Sequence, residues 1–351
     1  MLTKAPPRTG LPGLLLGLIG LLVVLSCSVG TVEVSFGQAA RIVVGHLVPG
    51  MPWMTDGSLT QLQDQAVWQF RLPRALLAGL GGAGLALAGV LMQAVVRNPL
   101  AEPYILGVSA GAGVGAVLVI TLGSAAVGGL TIGAAAFAGA LVASACVALL
   151  AQQGGRLAPT RMILAGVALG SLFSAVTSYL TITTEAQNVF SVLFFLLGSV
   201  SAASFGKLLG PALALVVALL VSLVAARTMN ALAAGDETAT SLGIDVNRAR
   251  ALLLVTAALL TGAVVSVCGG IGFVGLVVPH VARILVGTDH RTMIPVAVLG
   301  GAAFLMLADF LARTVAAPTE IPIGILTALV GAPFFLWLMR RDAAARVGLD
   351  R

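Results

Sequence analysis

The sequence predicts an all-α, polytopic membrane protein with about ten transmembrane helices. Composition is the first reason: of 351 residues, 59% are hydrophobic and only 9% charged, with a mean hydropathy of +1.08. Soluble domains carry about 25% charged residues. Length is the second, because at roughly 20 residues per crossing the chain holds about ten spans and their connections. The third is packing chemistry, since 43 glycines and 5% aromatics suit helices that approach closely in lipid through small residues. This composition excludes a disordered chain, and three cysteines exclude a disulfide scaffold. A net charge of +6 does not imply nucleic acid, because the basic residues form no cluster on one soluble face. Outer-membrane strands would alternate in polarity over about ten residues, and runs such as Leu14–Leu16 and Ala251–Leu260 do not.

In chain order, apolar stretches lie near 11–30, 72–96, 104–122, 125–152, 161–183, 208–226, 251–268, 271–286, 294–316 and 321–339. Lys4 and Arg8 precede the first, as they would in a signal peptide. The run is long, however, and no A-x-A site follows it, so it is expected to be an uncleaved helix. The stretch 271–286 is short enough for a partial span. Cys27, Cys146 and Cys268 fall within spans without paired spacing, as small buried hydrophobes do.

An even number of spans puts both termini on one side. That side then collects fourteen of the nineteen basic residues, leaving Arg41, Arg71, Arg74, Lys207 and Arg313 opposite. The positive-inside bias makes the richer side cytoplasmic. The expected organisation is one transmembrane domain over 1–351, with cytoplasmic tails at 1–10 and 340–351. The segment 31–70 holds Glu33, His46, Trp53, Asp56, Asp64 and Trp68 and is too polar to be embedded, so it reads as an extracytoplasmic loop. The segment 227–250 has a helix-like middle bounded by Gly235 and Gly243 and reads as a cytoplasmic loop able to contact a partner.

The segment RNPLAEPYILGVSAGAGVG at 97–115 is the densest in special residues. Pro99 and Pro103 are expected to stop one helix and start the next. Gly107, Gly111 and Gly115 recur every fourth residue and predict a smooth stripe for helix packing. With Asn98 and Pro99 they are the expected packing and gating residues. GLGGAG at 79–84 reads the same way. No G-x-x-x-x-G-K-[ST] occurs, so the chain does not itself hydrolyse nucleotide through a P-loop. There is no H-E-x-x-H, His46, His280 and His290 are scattered, and no metal site is expected. No G-x-S-x-G nucleophile elbow appears. Asp309 and Arg313, four apart, are expected to share a helix face and neutralise one another, with Glu320 at the same end. A position near a helix end argues against a proton relay at the midplane.

RLPR (71–74), GVLMQAVVRNPLAEPYILGVSAGAG (89–113), DETATSLGIDV (236–246), GGIGFVGLVVPHVARILVGTDHR (269–291), LADFLAR (307–313), EIPIG (320–324) and GAPFF (331–335) resemble, in this order, the FecCD-type permeases of type II ABC importers for iron–siderophore, haem and cobalamin. The resemblance covers about 70–351. It implies a non-catalytic, ten-helix subunit that pairs with a second copy or close paralogue in the cytoplasmic membrane, in contact with lipid. Cargo would pass along the dimer interface after delivery by an extracytoplasmic binding protein. A separate pair of ATPase subunits would use ATP and Mg, this chain binding no cofactor. Gly235, Asp236, Glu237, Ala239, Leu242, Gly243 and Asp245 would couple to the ATPase, Ala239 and Leu242 sharing a face. Arg71, Arg74 and Arg313 would dock acidic residues of the binding protein, the alternatives being headgroup anchoring for the first two and neutralisation of Asp309 for the third. One departure is Phe195, in FFLLG (194–198), where the family usually shows tryptophan; it keeps the aromatic bulk but lacks an indole N–H. A proton-coupled secondary transporter is the alternative function. It would need its ion site within the chain and often internal repeats, and no convincing repeat is visible. A channel would need a filter-like segment, which is also missing.

Overall fold

The computed structural model describes residues 10–104, 107–153 and 156–347. The expected N-terminal tail lies almost wholly outside these, as do the last four residues of the C-terminal one. Among the described residues fifteen α-helices follow one another: α1 Leu11–Ser28, α2 Phe36–Leu47, α3 Gln61–Gln65, α4 Leu72–Val96, α5 Val108–Leu122, α6 Ile132–Leu150, α7 Pro159–Thr183, α8 Ala186–Leu197, α9 Phe205–Val224, α10 Ala226–Ala234, α11 Asp236–Ser241, α12 Val246–Cys268, α13 Val274–Val286, α14 His290–Thr314 and α15 Ile323–Val347. Each of the ten apolar stretches corresponds to one helix: α1, α4, α5, α6, α7, α9, α12, α13, α14 or α15. Among the described residues, seven helical segments are long and apolar enough to cross a membrane, and α5, α8, α13 and the apolar part of α15 are shorter. A two-stranded hairpin, Gln152–Gln153 with Arg156–Leu157, joins α6 to α7.

The core forms around α4. A π-helical turn at Ala66–Arg71 joins it to α3, so that Gln61–Val96 runs as one 36-residue segment, 83% buried over its most apolar window. Helices α14, α12, α13 and α9 pack around it. Its glycines permit this. A Cβ on Gly82 would overlap the Gly301 carbonyl of α14, and one on Gly84 would press Val264 of α12. Helices α1, α7 and α9 are only 22%, 11% and 17% buried over the same kind of window, as apolar helices facing lipid would be.

The glycine stripe of α5 packs as expected at two of its three positions. Gly111 and Gly115 lie against Gly139 and the Ala135 carbonyl of α6, with no room for a side chain between. Gly107 is a correction. It precedes the helix with φ +74°, so it serves the backbone turn that α5 starts from, in a conformation where a Cβ is disfavoured. Pro103 likewise does not start α5, whose first residue is Val108. The helix α4 ends at Val96, with Arg97 left-handed at φ 54° and Asn98 Oδ1 accepting the Leu100 N–H at 2.9 Å.

Two further differences have local causes. The α8 helix has 12 residues, too few to span, so a search for spans passes over it. The helix α15 runs on to Val347, where a tail from 340 was expected, because no Pro or Gly lies between 334 and 347. The segment 31–70 contains α2, a 3-10 turn at Pro52–Met54 and α3. Reciprocal capping boxes at Ser35/Gln38 and Thr60/Gln63 start the two helices. His46 stacks on Trp68 with centroids 4.1 Å apart and lies 2.8 Å from Asp64, fastening α2 to the helix leading into α4.

Candidate translocation face and its two polar ends

The N-terminal end of α4 is polar through its arginines. Asp309 of α14 is 1% exposed, and its Oδ1 lies 2.9 Å from both Nε and Nη2 of Arg74. The remaining side of the Arg74 fork, Nη1, lies 2.7 Å from Glu320, whose side chain is 38% exposed. A planar guanidinium suits such two-sided holding. Arg313 lies farther from Asp309, with Nε 3.8 Å from Oδ2, and sits over the Phe310 ring. The helical spacing that pairs Asp309 with Arg313 therefore finds the weaker contact. Arg74, 235 residues distant in sequence, is the closer partner.

Arg71 and Arg313 turn inward. Arg71 donates to the carbonyls of Cys27 (2.9 Å), Ser28 (3.1 Å) and Val32 (2.6 Å), and Arg313 to those of Ser26 (2.8 Å) and Val29 (3.2 Å). The last carbonyls of a helix have no partner within it and carry its negative dipole end, so the two guanidiniums cap α1. Arg71, Arg74 and Arg313 were expected to dock acidic residues; here the terminal nitrogens of Arg71 and Arg313 donate to backbone oxygens, while Arg313 Nε makes no hydrogen bond and lies 3.8 Å from Asp309. Of the three, Arg74 alone has a carboxylate partner that reaches solvent.

At the opposite end of α4, Asp236 begins α11 and meets Arg97 at 3.3 Å and the buried Arg250 of α12 at 2.8 Å. Gly235 precedes it at φ 123°, and Gly243 closes the segment at φ 78°. Asp245 caps α12 through the Arg248 N–H at 3.0 Å. Glu237 is exposed. Ala239 and Leu242 do not share a face. Ala239 is fully buried, whereas Leu242 is 67% exposed and lies just past the end of the helix at Ser241. Nearby, Asn230 of α10 donates to Asp289 at 2.8 Å and accepts the His290 N–H at 3.0 Å, joining α10 to α14.

Between these ends, two cavities of about 600 and 460 Å³ share Tyr104, Leu196 and Gly270 in their walls. The larger is bounded by α8, α15 and the loop ahead of α13, the smaller by α5, α7 and α8. The smaller one carries Ser174, Thr177, Ser178 and Thr181 along α7. Thr177 and Thr181 donate to carbonyls one turn back, so their hydroxyl oxygens face the cavity chiefly as acceptors. Phe195, the departure noted above, lines this cavity, and its carbonyl accepts the Gly270 N–H at 3.0 Å. Glu102 lines the larger cavity, 6% exposed, with Oε2 accepting the Phe273 N–H at 3.1 Å. Large apolar side chains in the cavity walls, Ile182, Leu193 and Leu329, are exposed. Asn98 and Pro99 lie at the start of the loop that leads to Glu102. Glu102 and Tyr104 lie inside the 89–113 stretch that carries the family resemblance, where nothing singles them out, and the α7 hydroxyls carry no motif. Among the described residues no group of three or more His, Cys, Asp or Glu could hold a metal ion.

The sequence and fold have well-matched relatives. The chain is 42% identical over 308 residues to the cobalamin import system permease protein BtuC of Halobacterium salinarum, covering 84% of this chain and 82% of that protein. It is 38% identical over 351 residues to the hemin transport system permease protein HmuU of Yersinia pestis, covering 98% and 99%. A solved metal-chelate type ABC transporter, in an inward-facing conformation, superposes with a TM-score of 0.79 at 32% identity over 94% of this chain and 99% of that one. The profile of the FecCD transport family matches residues 18–341. The chain belongs to the FecCD transport family of ABC importer permeases.

Proposed function

We propose that this chain is the membrane-spanning half of an ATP-driven importer that carries an iron chelate, haem or cobalamin inward. The carrying observation is the pair of adjoining cavities open along one face of a single chain, beside exposed apolar side chains of α7, α8 and α15. A second copy, or a close paralogue, set against this face would enclose the path. An extracytoplasmic binding protein delivers the cargo at the Arg74 end. A pair of ATPase subunits, which use ATP and Mg, engages the exposed part of the α11 segment, Glu237 to Gly243. On this reading both termini and α11 are cytoplasmic, in agreement with the charge bias. A bound cargo alone would only equilibrate, so uptake against a gradient requires ATP-driven switching between outward-open and inward-open packings. Small-residue contacts such as Gly82 on Gly301 let helices slide without large side chains to unlock.

Reconstitution in proteoliposomes with the cognate ATPase and binding protein tests this. Uptake of one of the three cargo classes should require ATP and both partners, and the purified chain alone should hydrolyse no ATP. Uptake driven by a proton gradient without ATP would overturn the reading in favour of a secondary transporter.

A further inference from the structure

The Arg74 fork is held by two carboxylates that differ in kind. Asp309 is buried on α14 and fixed to Nε and Nη2. Glu320 holds only Nη1, and its side chain is more than a third exposed. The Arg74 side chain is itself 12% exposed, so salt and solvent reach this pair from the Glu320 side, whereas removing one partner of a fully buried pair is strongly unfavourable. Any approaching acidic group would therefore exchange with Glu320 and leave Asp309 in place.

Glu320 also occupies a consequential position in the chain. It lies in the short connection from α14 to α15, where the Ile321 N–H donates to the Ala312 carbonyl and the Ile323 N–H to the Gly198 carbonyl, both at 3.0 Å. Gly324 then presses on the Leu197 carbonyl without room for a Cβ. The next turns of α15 supply Gly324, Ile325, Ala328 and Leu329 to the wall of the larger cavity. The Glu320 carboxylate is thus four residues ahead of the cavity wall, and its bond to Arg74 ties the head of α15 to α4.

We propose that Glu320 stands in for a carboxylate of the docking protein: it fills the outer donor of Arg74 while this end is free, and an incoming acidic side chain displaces it and releases the head of α15. The partner surface that fits is an acidic one presenting a carboxylate that can lie in the plane of the guanidinium. The proposal rests on the reading that the binding protein docks at the Arg74 end, and it adds that docking is an exchange. Encounter and opening are then linked, because the bond given up on docking is one of those that restrain the head of α15, beside the Ile323–Gly198 hydrogen bond and the Gly324–Leu197 contact.

The test uses the complete permease–ATPase complex in nanodiscs and the binding protein in solution, with association and dissociation followed across ionic strength. Arg74→Lys, which keeps a cation beside Asp309, should slow docking, and its failure to do so would overturn the docking reading itself. Glu320→Gln should accelerate association about three- to tenfold at low salt, as removal of a competing charge at an interface does. The same variant should raise ATP hydrolysis in the absence of binding protein, and a spin label at Thr319 should become as mobile as it is in the docked wild-type complex. Slowed docking in Arg74→Lys together with unchanged or slower docking in Glu320→Gln would eliminate the stand-in role while leaving the docking surface intact. A Thr319 label equally mobile before and after docking in the wild type would also eliminate it.

Discussion

The carboxylate of Glu102 accepts the backbone N–H of Phe273 at 3.1 Å, joining residues 171 apart in the chain. Phe273 has φ 67°, a left-handed conformation that costs a residue with a Cβ roughly 1–2 kcal/mol. Its ring leaves no room for a side chain at Gly331 of α15. The bond therefore holds a disfavoured turn between α12 and α13, where that turn meets the cavity and the last helix.

Removal of that acceptor should loosen the turn. Glu102→Ala leaves the Phe273 N–H without its partner and should cost about 1–3 kcal/mol, while Glu102→Gln keeps an acceptor oxygen and should cost less. Thermal unfolding in detergent ranks the two. Equal melting temperatures would mean that the turn is held by its packing alone.

The buried pair predicts a non-additive result. Asp309→Ala or Arg74→Ala should each destabilise by at most about 3–5 kcal/mol, because Arg74 then keeps only Glu320 and Asp309 keeps only Arg313 at 3.8 Å. The double variant should lose less than the sum of the two. A double-mutant cycle on unfolding in detergent measures the coupling, and strict additivity would show that the two side chains act independently.

Glycine substitutions should separate close approach from backbone conformation. Gly115→Ala drives a methyl into the Ala135 carbonyl, so α5 and α6 must part, at about 1–3 kcal/mol. Gly107→Ala meets a φ of 74° and should cost roughly 1–2 kcal/mol. Gly206, with nothing within 4 Å of an added Cβ, should tolerate alanine without measurable loss. The loss of melting temperature should shrink in that order.

The segment around α11 predicts which of its residues report on the ATPase. Leu242→Glu and Glu237→Arg alter exposed positions and should lower uptake per ATP hydrolysed while membrane insertion stays normal. Ala239→Asp places a charge in a fully buried site and should instead reduce the amount of folded protein. Parallel measurement of uptake, hydrolysis and folded yield separates the two effects. Normal coupling in Leu242→Glu and Glu237→Arg would move the contact elsewhere.

What the sequence made legible follows from which signals are local. The stretch 72–96 matches α4 at both ends, because hydropathy, Pro73 and the break before Asn98-Pro99 agree. The ten apolar stretches and the packing at Gly111 and Gly115 rest on the same short-range regularities. Spacing failed where the helix does not extend over it: Gly107 lies before α5 and Leu242 after α11, so counting by fours or threes assigned each a face it does not have. The pairing of Arg74 with Asp309 has no local signature, since the tertiary fold alone brings the 235-residue separation to 2.9 Å. The same holds for Glu102 with Phe273 and for the cavity hydroxyls of α7. The inward turn of Arg71 and Arg313 was hidden for a related reason, as their acceptors are backbone oxygens, which every sequence has.

The cap on α1 bears on the order of assembly. Arg313 reaches the Ser26 carbonyl from 287 residues downstream, and Arg71 reaches Cys27 from 44. As the chain leaves the ribosome, Arg71 can secure α1 soon after that helix is made, once the next long helix begins. The second guanidinium does not exist until 287 residues after Ser26 have been synthesised. The helix α1 thus stays half-fastened through most of the synthesis of the helices that follow it, and truncation anywhere before α14 ends leaves it so.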